Sequence, residues 1–236
     1  MELLVINPNT THSMTKKIAA AARQVARKGT KIVATESKKG PASIEGYYDI
    51  ALCHAGLIEE AARYAEADAV VVACFDDTGL DALRCLFDVP VIGIGEAAYH
   101  AASMISTKFS VVTTLSRSVP GLEANLERYG LAKRCAKVRA SDVPVLKLEE
   151  NDPSSIALIK DEIRAAINVD GAEAVVLGCA GMADLMESLS EEFGIPIIDG
   201  VASATSMAEA LVAAGLKTSK IGAYARPQDK ALMLAV

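Results

Sequence analysis

The chain has 236 residues, 51% of them hydrophobic, and a formal net charge of -6 with acids and bases interspersed along its length. That length suits one large α/β domain or two compact lobes sharing a cleft, and without a basic cluster nucleic acid and anionic membranes are not expected as partners. Aromatics are only 4% and Trp is absent, so the apolar mass is Ala, Val, Ile and Leu, the composition of helices packed on buried parallel strands.

In chain order, the N-terminus is acidic and brief, without the basic segment and cleavage site of a signal peptide. Leu3 to Ile6 reads as a strand closed by Asn7-Pro8-Asn9-Thr10. Thr11 or Ser13 can then cap a helix running to about Lys28. Thr30 to Ala34 is a second strand, and after the loop Lys39 to Ser43 a helix is expected over Asp49 to Glu66. Ala69 to Ala73 and Val89 to Ile94 are short apolar strands, far below the roughly 20 residues that span a membrane. Phe109 to Val112 opens a second series of the same kind. Strands alternating with helices imply parallel βαβ units with helices on both faces. The five cysteines include no C-x-x-C pair, and His12, His54 and His100 lie far apart, so no disulfide framework and no metal site is expected. The expectation is a cytoplasmic protein with reduced thiols.

The pattern repeats internally. Asp68-Ala69-Val70-Val71-Val72-Ala73-Cys74 aligns with Glu173-Ala174-Val175-Val176-Leu177-Gly178-Cys179. Downstream, Val89-Pro90-Val91-Ile92 aligns with Ile195-Pro196-Ile197-Ile198, and upstream Leu4-Val5-Ile6-Asn7 with Ser110-Val111-Val112-Thr113. Each half therefore runs strand, helix, strand, helix, strand-Cys, helix, strand, helix. The expected fold is α/β, with two similar lobes, each a parallel four-stranded sheet flanked by helices. The lobes are related by a pseudo-two-fold axis, with the active site in the cleft between them. One lobe takes residues 1–95 with roughly 205–236 and carries Cys74; the other takes 96–204 and carries Cys179.

In open α/β sheets ligands bind beyond the carboxyl ends of the strands, and both repeats place a Cys there. A lone Cys at a strand end is more often a small buried apolar residue; two at matched positions reverse those odds, whereas Cys53, Cys85 and Cys135 have no such partners. Inverting a carbon stereocentre requires taking a proton from one face and returning one to the other. Two thiols of matched basicity on opposite sides of a planar carbanion do this, one as thiolate and one as thiol, exchanging roles at each turnover. Their ordinary pKa can be tuned towards neutrality by local electrostatics. Backbone N–H groups in the loops Phe75 to Gly79 and Ala180 to Asp184 could stabilise a thiolate or an enolate oxygen.

Asn7-Pro8-Asn9-Thr10, Ala73-Cys74-Phe75-Asp76-Asp77-Thr78-Gly79-Leu80 and Leu177-Gly178-Cys179-Ala180-Gly181-Met182 resemble the aspartate/glutamate racemase superfamily over essentially the whole chain. Within it the resemblance is closest to hydantoin racemases, with allantoin racemase a near relative. The resemblance implies racemisation of 5-monosubstituted hydantoins without a cofactor, Cys74 and Cys179 serving as acid and base, in a homo-oligomer. It further implies that Asn9, Ser43, Ile44, Phe75, Asp76, Thr113, Thr114 and Gly181 line the substrate site. A hydantoin suits such a site, since its C5–H is α to a ring carbonyl and its neutral ring needs hydroxyl and backbone donors rather than a charged clamp.

Other readings carry less. Gly93-Ile94-Gly95-Glu96-Ala97-Ala98 has the form of a dinucleotide fingerprint, yet the following strand ends in Thr113-Thr114 rather than the acid that would hold a ribose. An amino-acid racemase would need a clamp for carboxylate and ammonium that the sequence does not offer. A decarboxylase of the same fold would need only one of the two cysteines. A non-catalytic small-molecule binder would carry two inert thiols.

Overall fold

A computed structural model describes residues 1–150 and 152–228; the stretch 229–236, assigned from sequence to the first lobe, lies outside the described residues. The first half comprises β1 (Glu2–Asn7), α1 (His12–Val25), β2 (Lys31–Glu36), α2 (Tyr47–Ala61), β3 (Ala69–Val72), α3 (Leu80–Leu86), β4 (Val91–Gly93) and α4 (Ile94–Ile105). The second comprises β5 (Phe109–Thr113), α5 (Val119–Arg128), β6 (Cys135–Ala140), α6 (Pro153–Asn168), β7 (Ala174–Gly178), α7 (Met186–Phe193), β8 (Ile197–Ile198) and α8 (Gly200–Ala213). The strands form two all-parallel sheets of identical topology, β2-β1-β3-β4 and β6-β5-β7-β8. The two lobes and the repeated order of elements expected from sequence are both present.

Side-chain alternation along the central strands explains how the lobes join. On β1, Leu3 and Val5 face a core shared by both halves, while Leu4 and Ile6 face an outer layer with Leu57, Leu80 and Leu83. On β7, Ala174 and Val176 enter the shared core, and Val175 and Leu177 face the outer layer with Ile159 and Ile163. Apart from Glu2, the residues of the central strands are buried on one face or the other, as parallel sheets require. The shared core also takes Tyr99 of α4, Leu122 and Leu126 of α5, and Val201, Ala204 and Ala208 of α8. The last helix crosses back, α8 packing on α1, α4 and β3. Among the described residues no helix is long and apolar enough to cross a membrane.

Several element ends differ from the sequence expectation, and three of them show why. α1 stops at Val25 rather than near Lys28, and Thr11, at its N-cap, makes no side-chain capping bond. The α-helical part of α2 ends at Ala61, and a 3-10 turn over Ala62–Tyr64 carries the chain onward. The strand expected over Val89 to Ile94 is only Val91–Gly93, because Ile94 already belongs to α4.

Candidate active site

The order β2-β1-β3 puts a topological switch point between β1 and β3, and β6-β5-β7 puts another between β5 and β7, where a crevice opens past the strand ends. Asn9 follows β1 and Cys74 follows β3; Thr113 and Thr114 close β5, and Cys179 is the first residue after β7. These four strand ends converge on one cavity, lined by Cys74 and Cys179 together with Asn9, Ile44, Phe75, Asp76, Thr113 and Thr114. Both cysteines are half-buried and neither is in a disulfide.

The two sulfurs stand in different surroundings. Cys74 accepts a long hydrogen bond from the Thr78 hydroxyl (3.7 Å). Burial pushes its thiol well above the ordinary range, and the neighbouring Asp76 carboxylate pushes the same way. This is the opposite direction from the tuning towards neutrality expected from sequence. Asp76 is itself pushed up to about 6 by burial. Cys179 is the N-cap of a 3-10 turn over Ala180–Leu185, and its Sγ accepts the Gly181 backbone N–H at 3.4 Å, a contact that stabilises negative charge on sulfur.

Polar groups around the cavity are held by their neighbours. Asn9 Oδ1 accepts from Asn7 Nδ2 (2.8 Å) and from the Thr11 backbone N–H (2.9 Å). This fixes the amide and leaves Asn9 Nδ2 donating to the Met14 sulfur at 3.2 Å, a weak acceptor that a ligand oxygen would outcompete. The Thr113 hydroxyl donates to the Gly178 carbonyl at 2.9 Å, so towards a ligand it can only accept. The approach is close enough that a Cβ at Gly178 would sit 2.8 Å from Thr113 Cβ. Among the described residues no cluster of His, Cys, Asp and Glu is arranged to hold a metal ion.

A model of the family described as Asp/Glu/Hydantoin racemase matches residues 3–208. The chain belongs to that family. A hydantoin racemase of Rhizobium meliloti is 48% identical over 234 residues, covering 98% of this chain and 97% of the relative. A hydantoin racemase of Pseudomonas sp. is 46% identical over 232 residues, covering 98% of this chain and 93% of the relative. Among solved structures, an allantoin racemase from Klebsiella pneumoniae superposes with a TM-score of 0.95 at 45% identity, covering 98% of this chain and 96% of that one. The protein is a racemase, an isomerase related over its whole length to enzymes of that kind.

Within this racemase, two residues expected in the substrate site lie apart from the cavity lining: Ser43 sits one residue before Ile44, and Gly181 reaches the site through its N–H on Cys179. Conversely, the lining includes Met14, Ala73, Ser118, Val145, Gly178 and Ala180, which the sequence reading omitted. Ala73, Gly178 and Ala180 flank the cysteines and could have been found from that adjacency. Met14 faces the cavity from the first turn of α1, and Ser118 and Val145 come from 3-10 turns, over Ser116–Ser118 and Val145–Glu150, that carry no signal in the sequence.

Asp77 is not at the N-terminus of its own helix but caps another. Its carboxylate accepts the backbone N–H groups of Gly95 (2.9 Å) and Glu96 (2.8 Å) at the start of α4, and the Tyr129 hydroxyl (2.7 Å). Burial raises it to about 7 against those three hydrogen bonds, which lower it. A Cβ at Gly93 would lie 2.0 Å from Asp77 Oδ1, and one at Gly95 2.4 Å from the Phe75 carbonyl oxygen. The G-x-G of the apparent dinucleotide fingerprint thus makes room for a carboxylate of the protein's own Cys74 loop.

Proposed function

We propose that this racemase inverts C5 of 5-monosubstituted hydantoins by two-base proton transfer between Cys74 and Cys179, without a cofactor. The observation that carries the reading is that two cysteines from matched strand ends line one cavity together. One thiolate takes the C5 proton, and the C–H electron pair moves into the adjacent ring carbonyl to give an enolate. The opposite thiol then delivers its proton to the other face of C5, so each turnover exchanges the protonation states of the two sulfurs. The Asn9 amide and the Thr114 hydroxyl are suited to donate to ring carbonyls, and the Thr113 oxygen to accept a ring N–H. Among the described residues the cavity lining contains no Lys or Arg, which speaks against a substrate carrying a free carboxylate. Met14, Ile44, Phe75 and Val145 provide an apolar wall for the C5 substituent. Allantoin, a hydantoin with a polar ureido arm at C5, is the second reading, favoured by the 45% identity to an allantoin racemase.

The test uses L- and D-5-benzylhydantoin, and separately each allantoin enantiomer, in deuterated buffer without added cofactor. Optical rotation and C5 deuterium are followed together for wild type, Cys74→Ser and Cys179→Ser. Wild type should racemise the benzyl compound faster than allantoin; the reverse order would favour the second reading. Each Ser variant should lose inversion by roughly a hundred- to ten-thousand-fold while exchanging deuterium into one enantiomer only. Full inversion by both variants would sink the two-thiol mechanism.

A further inference from the structure

The loop from Cys74 to Leu80 is tightly folded, Asp77 N–H bonding the Cys74 carbonyl and Leu80 N–H the Asp77 carbonyl (3.0 and 3.1 Å). It is also gripped from the opposite half. Asn125 of α5 donates its Nδ2 to the Asp76 carbonyl at 2.9 Å, and four residues on, Tyr129, the C-cap of that helix, donates its hydroxyl to the Asp77 carboxylate at 2.7 Å. Positions i and i+4 share a helix face, so one face of α5 holds two successive residues of the Cys74 loop. Between these two positions in sequence, Arg128 pairs with Asp81 at the start of α3, adding a third tie between the halves. Asp77 holds a left-handed backbone (φ 52°) that is uncommon for a residue with a side chain. Its carboxylate joins three pieces at once: its own loop, the first turn of α4 and the end of α5. The end of α5 therefore bears directly on the loop that presents one sulfur, from the half that carries the other.

We propose that Asn125 and Tyr129 form a clamp across the two halves, and that with Asp77 they are positioning residues that set Cys74 against Cys179 for inversion. The inference rests on the two-thiol reading above. None of the three need touch the substrate; they fix where the Cys74 sulfur stands relative to C5 when Cys179 has engaged the opposite face. Inversion needs both sulfurs in place at once, whereas deprotonation by Cys179 followed by return of a solvent-derived deuteron to the same face needs only one. Loosening the clamp should therefore uncouple exchange from inversion in one enantiomer alone.

The experiment compares wild type with Tyr129→Phe/Asn125→Leu, which keeps the Tyr129 ring and the bulk of Asn125 while deleting both hydrogen bonds. If the double variant does not fold, Tyr129→Phe alone is read the same way. Each enantiomer of the hydantoin that wild type racemises is incubated in deuterated buffer, and inversion and deuterium incorporation with retention are measured. Cys74→Ser identifies the enantiomer that Cys179 deprotonates. A displacement of about 1 Å can cost about a hundred-fold in rate, so inversion should fall about ten- to a hundred-fold, equally in both directions because enantiomers have equal free energy. Exchange with retention should persist for the enantiomer handled by Cys179 and fall with inversion for the other. A proportional loss of exchange and inversion for both enantiomers would reduce the contacts to general stability and overturn the proposal, as would wild-type behaviour. If both Cys→Ser variants keep full inversion, the two-thiol reading fails instead, and the outcomes are separable.

Discussion

At the scale of single residues, the pair Cys74 and Cys179 was legible because an internal repeat makes each a control for the other, and no single-position argument would have chosen them over Cys53. Cys53 is fully buried and takes no part in lining the cavity, in keeping with a packing residue. Asp77 was not legible, because its partners are 18 and 52 residues away in sequence and its role exists only once α4 and α5 are packed. The glycines opposite it carry the same information in reverse. Gly95 lies in the first turn of a helix, where Ala would ordinarily be preferred by about 1 kcal/mol. Here a Cβ would stand 2.4 Å from a backbone carbonyl and 2.8 Å from Asp77 Oδ2, and backbone cannot rotate away. Gly95→Ala is therefore expected to lose about 1–3 kcal/mol of stability despite its helix preference, read as a lower urea midpoint. A raised midpoint would show that the pocket for the carboxylate has slack.

At the scale of elements, alternation of strand and helix survived intact, while element ends moved by one to several residues. The end of β4 shows why. Apolar periodicity continues through Ile94, but Gly93 has extended dihedrals and the Asp77 carboxylate captures the N–H groups of Gly95 and Glu96, so the helix starts earlier than the apolar run suggests. The edge strand β6 is secured by a different device. Arg139 makes two bonds to Asp170 (2.5 and 2.8 Å) and one to Glu162 (2.9 Å), tying β6 to the body of α6 and to the turn before β7. Arg139 holds the Asp170 carboxyl below its usual range. A folded-state pKa below the unfolded value of 3.8 means the stabilisation is present above that value and is lost as pH falls through the folded one. Asp170→Asn should thus unfold about 1–3 kcal/mol more easily than wild type at pH 7, and the gap should narrow by pH 3. Urea titrations at the two pH values check this; an equal gap at both would remove Asp170 from the acid response.

At the scale of the whole molecule, the two halves are not independent bodies joined by a hinge of a few residues. The inner faces of both sheets, with parts of α1, α4, α5 and α8, contribute to one continuous core, so neither half buries its inner face without the other. Unfolding is accordingly expected as one transition, with calorimetric and van't Hoff enthalpies agreeing; two resolved transitions would mean that each lobe holds its own structure. Sequence repetition revealed two lobes but not this sharing, since inner and outer strand faces are equally apolar and only the packing of the helices distinguishes them. The common core has a geometric consequence for the two-thiol reaction. Both sulfurs leave central strands whose inner faces rest on the same packed side chains, Val71 and Ala73 on one side and Ala174 and Val176 on the other. The thickness of that layer is then a ruler for the reaction, graduated in methylene groups: a wider or narrower side chain deep beneath the floor, touching no ligand, would alter the span a planar carbon must bridge.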